Sequence, residues 1–452
     1  MEKQKKRFIS KEYYKTVLVT LITLSIPTIL EEMLATLLQY VDTAMVGHIG
    51  ENATAAVSTT TTIGWLIHSI PGAIAVSLLA LASKANGEGD FDKLKRLSGQ
   101  AILFAFSSGV LLEVLAITLS PFIPVWMGAE EEIQRPASVY FSIVSITLCL
   151  RTSARVFAYM IRSTKDTKTP MLISVSENIL NVGLNALFIY GLDLGVTGAA
   201  IASCISYGIG GIAMFVAMMK KPKLRPLAED LVPDREVSGE IIRLGIPALG
   251  TTVASCLGYV VFAGMVSGMG TFIFAAHSIA VSAEQIVYIP GYGLRGATST
   301  LVGNALGERD YDKLKATKDL SIIITMIIMV INGTLLYFFA FPFMKIFTSS
   351  LRVATLGSKM LMLVAFSEPF FGLMIVMEGI SYGMGRTKNV FWCETVSMWG
   401  IRILSTYICV KILGLGLVAV WLCMIADNVF KAIMLFIFRP KVKFDMESGI
   451  IS

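Results

Sequence analysis

Charge is scarce in this chain. Asp, Glu, Lys and Arg make up 15% of its 452 residues, against about 25% in an ordinary soluble domain, too few to solvate the surface of a water-soluble fold. Histidine is scarcer still: His48, His68 and His277 are scattered, and there is neither a His-Glu-x-x-His stretch nor a phosphate-cradling Gly-rich loop ending in Lys-Ser or Lys-Thr. The usual signatures of metal-dependent and nucleotide-dependent hydrolases are therefore missing, and neither an enzyme nor a bound cofactor is expected. Only six cysteines occur, at 149, 204, 256, 393, 409 and 423, each alone inside an apolar stretch with no two at the spacing of a metal or redox pair. They read as packing residues.

What abounds is apolar sequence, 55% of the chain. About 20 mainly apolar residues suffice to cross a bilayer as a helix, and a dozen such runs occur: 16–43, 53–81, 97–120, 136–162, 170–190, 196–219, 239–266, 273–303, 317–341, 353–383, 389–413 and 416–438. The first is too long and too interrupted by acids for a cleaved signal sequence. The chain is predicted to be an all-α polytopic membrane protein with both termini on one side. Of the Lys and Arg residues in the breaks between runs, 28 lie on that side and four, Arg135, Lys345, Arg352 and Lys411, on the other. Such asymmetry predicts cytoplasmic termini and accounts for the net charge of +6 without a nucleic-acid partner.

The sequence is a tandem of two copies. Residues 87–95 read GEGDFDKLK and residues 307–315 read GERDYDKLK, seven of nine identical at an offset of 220. Leu24-Ser25-Ile26-Pro27 matches Leu244-Gly245-Ile246-Pro247, Met45-Val46 matches Met265-Val266, and Thr167-Lys168 matches Thr387-Lys388. The expected organisation is a cytoplasmic N-terminus at 1–15, an N-terminal lobe at 16–219, a linker at 220–238 rich in proline, a C-terminal lobe at 239–438 and a cytoplasmic C-terminus at 439–452. Six helices per copy make the copies parallel, related by a pseudo-two-fold along the membrane normal. Secondary transporters built this way place the substrate between the halves near mid-membrane, although a channel or a lipid flippase could share the duplication.

Val41-Asp42-Thr43-Ala44-Met45-Val46-Gly47 resembles the VDT-x-(F/M)-VG signature of the multidrug and toxic compound extrusion (MATE) family. The Gly-Glu-x-Asp loops, the Gly195-Val196-Thr197-Gly198-Ala199-Ala200 loop and the length agree with that resemblance. It implies a six-plus-six helix antiporter in the inner (cytoplasmic) membrane, working as a monomer, that exports organic, often cationic, compounds against H⁺ or Na⁺. A flippase for lipids or lipid-linked saccharides, found in the wider superfamily, is the alternative. In the family branch that couples through the N-terminal half (DinF-like), the matching positions are Asp42 on the first helix, Asn181 and Asn185 on the fifth and Ser203 on the sixth. The resemblance thereby implies a cation site, with Na⁺ at Asp42, Asn181 and Asn185 as one form of it. This chain has Asn185 where that pattern has Asp, and Ser255 where the other branch has a Glu on the seventh helix.

Ionisable groups at mid-bilayer cost about 2.5–3.5 kcal/mol each on insertion scales, so each needs a partner or a task. The repeat separates residues demanded by the fold from those specific to a site: Asp42 corresponds to Phe262, Asn181 to Ile401, Asn185 to Ser405 and Glu284 to Gly64, so none is dictated by the shared architecture. Asn178, Asn181 and Asn185 share one helical face, either as cation ligands or as interhelical hydrogen bonds. Glu31 lies three turns from Asp42 on the same face, as a continuation of the cation path or as a bonded structural carboxyl. His277, Glu284, Tyr288 and Arg295 form a stripe in which Glu284 either attracts an organic cation or pairs with Arg295 or His277. Tyr40, Trp65, Tyr259 and Tyr288 are candidates to line a substrate cleft.

Overall fold

The computed structural model describes residues 11–439, apart from the side chains at 11, 12, 51, 61, 62, 65 and 68. Residues 1–10 and 440–452 of the expected termini (1–15 and 439–452), and the Trp65 side chain, lie outside the described residues. All regular structure described is helical: short turns at Ile123–Trp126 and Ala228–Leu231, and twelve successive spans, α1 Lys11–Gly47, α2 Glu51–Glu88, α3 Phe91–Leu119, α4 131–163, α5 Lys168–Gly191, α6 Gly195–Met219, α7 Arg235–Ser267, α8 Thr271–Gly307, α9 Tyr311–Phe347, α10 Leu351–Gly383, α11 387–412 and α12 Leu417–Ile437. Ten are long and apolar enough to cross a bilayer, and α4 is an eleventh bent by 50° between Glu131–Ser145 and Leu148–Ser163. The span α11 is broken into alternating α and π segments.

The helices overrun the apolar runs at both ends, because capping and charged residues extend them beyond the bilayer. The repeated nonapeptide explains itself locally. Asp90 accepts from the Lys93 amide at 2.8 Å and Asp310 from the Lys313 amide at 2.9 Å, which caps α3 and α9 in the same way. Just before each cap the chain turns through the left-handed region, at Gly89 in one copy and at Arg309 in the other (φ 73° and 54°). Gly87 and Gly307 are conserved between the copies by contact: a Cβ on Gly87 would overlap the Asn304 carbonyl, and one on Gly307 the Lys84 carbonyl. These two crossings interchange under the offset of 220, so the pseudo-two-fold of the sequence is a two-fold of the packing, centred where α2 crosses α8.

The two lobes have separate cores, one around Leu78, Leu94, Phe157 and Met160, the other around Phe262, Met344, Leu361 and Trp421. The stretch read as a linker is docked: Leu224 is fully buried, Gln100 of α3 donates to the Val232 carbonyl at 2.7 Å, and α7 starts at Arg235, inside the predicted linker. Val237 and Ile241 of α7 join the N-terminal core. Large exposed apolar residues such as Leu111, Phe338 and Ile346 suit a surface facing lipid.

The spans α4 and α10 both break near mid-length, at 146–147 and at Ala365–Ser367, again 220 residues apart. Pro369 removes an amide from the second half of α10. In α4 the corresponding amide belongs to Cys149 and donates to Glu113 of α3 at 3.0 Å.

Candidate functional site

The signature aspartate lies near the end of α1 opposite the described termini, half-buried, facing α5. Asn185 donates through Nδ2 to Asp42 Oδ1 and, at 3.3 Å, to Asn181 Oδ1. Asn181 in turn donates to Ser203 Oγ of α6 at 3.3 Å. Tyr140 of α4 lies beside Ser203. Three helices thus contribute to one polar chain inside an apolar bundle, and three of its members, Asn181, Asn185 and Ser203, are 8%, 0% and 3% exposed. Asp42 has no cationic partner in an ion pair among the described residues, and Asn185 Oδ1 is buried with no hydrogen-bond partner.

Local structure positions the amides. Asn185 ends the α-helical part of α5, and residues Ala186–Gly191 continue as a π segment, the wide turn that recurs at functional sites. Its register swings Tyr190 onto the Met45 carbonyl at 3.1 Å, which ties α5 to α1 beside Asp42. Carboxylate, amide and hydroxyl oxygens can ligate a hard monovalent cation, and a protonated Asp42 could donate into the same set.

Asn178 is not part of this chain: it donates to the Ser174 carbonyl of its own helix at 2.7 Å. Glu31 is not open to a cleft. It pairs with Arg162 at 2.6 Å and accepts from Ser174 at 2.9 Å, both charged side chains being nearly buried. Glu177 fits against Gly210 of α6, where a Cβ would clash with its carboxylate.

The stripe on α8 resolves into three separate environments. His277 sits between the rings of Phe262 and Trp421. Glu284 accepts from Tyr288, which stacks on Phe371 at 3.8 Å between centroids. Arg295 pairs with Glu378 at 2.8 Å. Tyr40 lies against Phe347 at 5.9 Å and reaches the Ser282 carbonyl at 3.4 Å, and Tyr259 is 50% exposed.

The lobes meet tightly on the side of the described termini. Tyr13 donates to Asp310 at 2.5 Å, Asn86 to Asn304 at 2.6 Å, Asn304 to the Ser163 carbonyl at 3.0 Å, and Lys165 pairs with Glu308 at 3.0 Å. Glu308 also pairs with Lys313. Burial alone would push the Glu308 carboxyl up, but hydrogen bonds from Lys313 and Lys165 outweigh it and hold the group below the usual carboxylate range. Asp166, next to this seam, is lowered likewise: burial opposes, and bonds from Lys221 and Thr169 win.

Twelve spans in two pseudo-symmetric lobes, with a polar chain inside one lobe and a closed seam at one end, define a multi-pass membrane transporter. The MatE family model matches residues 27–187 and 247–408, one stretch in each lobe. The chain belongs to the MatE family. It is 26% identical to "Probable multidrug resistance protein NorM" of Thermotoga maritima over 96% of this chain and 94% of that one. It is 25% identical to "Multidrug resistance protein NorM" of Aliivibrio fischeri, covering 87% of each. In fold it resembles a MOP superfamily transporter from Pyrococcus furiosus (TM-score 0.88, 21% identity, 93% of this chain and 95% of that one). It also resembles a MATE transporter of Vibrio cholerae (TM-score 0.89, 18% identity, 94% and 97%).

Proposed function

We propose that the protein is a cation-coupled antiporter that exports organic compounds, cationic or amphipathic, by alternating access of its two lobes. Asp42 is the coupling group, loaded and unloaded with H⁺ or Na⁺ each cycle, with Asn181, Asn185 and Ser203 completing its site. The observation that carries this reading is a carboxylate in an apolar bundle that accepts from an amide and has no ion pair to a cation among the described residues. A structural aspartate in such a place would be expected to have a cation beside it, as Asp427 does. The names of the relatives, multidrug resistance proteins, support the substrate class. The excess of Lys and Arg on the side of the termini supports cytoplasmic termini in the inner membrane, and hence a conformation closed toward the cytoplasm.

Counterflow in proteoliposomes with imposed pH or sodium gradients tests the reading, with native protein beside Asp42→Asn. Substrate accumulation should follow one of the gradients in the native protein and lose that dependence in the variant. Movement indifferent to both gradients, or a variant that stays coupled, refutes the assignment.

A further inference from the structure

We propose that Cys409 of α11 and Cys423 of α12 form a reversible disulfide, a covalent staple across the hairpin that ends the C-terminal lobe on the side opposite the described termini. The staple is independent of the role of Asp42 and of the compound transported.

The two cysteines are 14 residues apart in the chain, so their spacing does not mark them as a redox pair. The hairpin removes that separation. The span α11 runs out in a π segment at Ile408–Ile412, residues 413–416 turn the chain with Gly414 in the left-handed region (φ 63°), and α12 starts at Leu417. Within the turn the Leu415 amide donates back to the Cys409 carbonyl at 2.8 Å, which fixes the backbone of Cys409 at the foot of the hairpin. From α12 the Cys423 thiol points at Cys409, with 3.8 Å between the sulfur atoms. A disulfide bond is about 2.05 Å long, so the sulfurs have about 1.8 Å left to close, within reach of modest rotations about the two Cα–Cβ bonds.

Other thiols are placed differently. Cys149 donates to the Phe106 carbonyl at 3.8 Å, and Cys204 lies 3.7 Å from the Thr147 hydroxyl; neither has a second sulfur in contact among the described residues. The repeat shows that the pair is not dictated by the shared fold. Cys409 corresponds to Ile189 and Cys423 to Ser203. In the N-terminal lobe Ile189 packs with Val46 and Ala199, while Ser203 accepts from Asn181, so the two positions carry unrelated tasks there.

On the orientation proposed above, this end of the lobe faces away from the cytoplasm, where disulfides persist. Cys409 is partly exposed and Cys423 is buried, which orders the chemistry. The Cys409 thiolate attacks a low-molecular-weight disulfide and expels one of its sulfurs as a thiolate; the Cys423 thiolate then attacks Cys409 Sγ and expels the other. Two electrons pass from the cysteine pair to the reagent, and the two thiol protons end on the two released thiols. The consequence lies in the π segment. A π turn holds one residue more than an α turn, and its relaxation would rotate the residues beyond it by about 100°. A bond from Cys409 to Cys423 locks α11 in its present register.

The test uses full-length protein in proteoliposomes, oxidised with diamide or with oxidised glutathione, then denatured and titrated with N-ethylmaleimide. The oxidised protein should take up two fewer maleimides than the reduced protein with its six thiols, and dithiothreitol should restore both. Peptide mass mapping should place the link between residues 409 and 423 of one chain. In oxidised glutathione, Cys423→Ser should stop at a mixed disulfide on Cys409, and Cys409→Ser should lose no thiol, while Cys204→Ser still loses two. Closing the loop restrains the unfolded chain, so the oxidised native protein should melt higher than the reduced one, and neither serine variant should show that shift. The mass map of the native protein decides the matter even where a variant folds poorly. Six reactive thiols after diamide, a link between two chains instead of within one, or a loss of two thiols that survives Cys409→Ser overturns the proposal.

Discussion

Replacing Gly307 by alanine adds one methyl group at the seam between the lobes. The new Cβ would fall on the Lys84 carbonyl oxygen, 2.9 Å from its carbon and 2.8 Å from the Glu88 amide nitrogen, where non-bonded atoms prefer about 3.5–4.0 Å. Both obstacles are backbone, so no rotamer relieves the clash and α2 must draw away from α8 by on the order of 1 Å. Overpacking of this kind costs about 1–3 kcal/mol. The gain in helix propensity from Gly to Ala, about 1 kcal/mol, is the same with the seam open or closed and drops out of that equilibrium. The closed state should therefore lose population about 5- to 150-fold relative to the open one. Ser163 reports on it, being fully buried with its carbonyl bonded to Asn304. In a chain freed of its six native cysteines, Ser163→Cys should react with a maleimide at least about fivefold faster when Gly307→Ala is added. Gly87→Ala, its two-fold mate, should do the same, while Gly239→Ala, with nothing near its Cβ position, should not. Parental labelling rates in both seam variants would refute the view that these glycines hold the seam shut.

Three further outcomes follow from buried charge. Glu31→Gln strands Arg162, and breaking such a pair costs about 3–5 kcal/mol, so the melting temperature in detergent should fall, and Glu31→Gln with Arg162→Gln should restore part of it; a double variant less stable than the single one contradicts this. Asp427→Asn leaves Arg402 and Lys431 facing each other with one anion fewer, at a site 0% exposed, and should lower the melting temperature more than Glu31→Gln does. Acid should loosen the seam. Asp166 and Glu308 have lowered pKa values in the folded protein, so their contribution is present above the unfolded value of about 4 and lost as pH falls through the folded one. Melting temperature should drop across that window, and Glu308→Gln should flatten part of the drop.

The sequence was most informative where physics repeats. The nonapeptide occurring twice foretold the two-fold because glycine contact and aspartate cap are both local, and the spacing of Asn181 and Asn185 foretold a shared face because a helix has one period. Partners across helices were another matter. The spacing of four between Asp427 and Lys431 suggests that they pair, yet Arg402 lies closer to Asp427, at 2.7 Å against 3.3 Å, and nothing in a single chain relates residues 402 and 427. Glu31 and Arg162 are separated by 131 residues for the same reason. The π segment after Asn185 has no residue signature, and Tyr140 came beside Ser203 only through the crossing of α4 with α6. Asn178 shows the limit of periodicity: on the right face, it is satisfied by its own helix.

Six of the ion-paired charges inside the C-terminal lobe cancel: Arg295, Lys431 and Arg402 against Glu378, Glu394 and Asp427. A membrane voltage works on displaced charge, about 2.3 kcal/mol per elementary charge for each 100 mV. A lobe that carries this ladder can swing through the field with no net pull from it. On the antiport cycle proposed above, the electrical driving force is then felt by the ion that rides along, and an empty lobe is free to return.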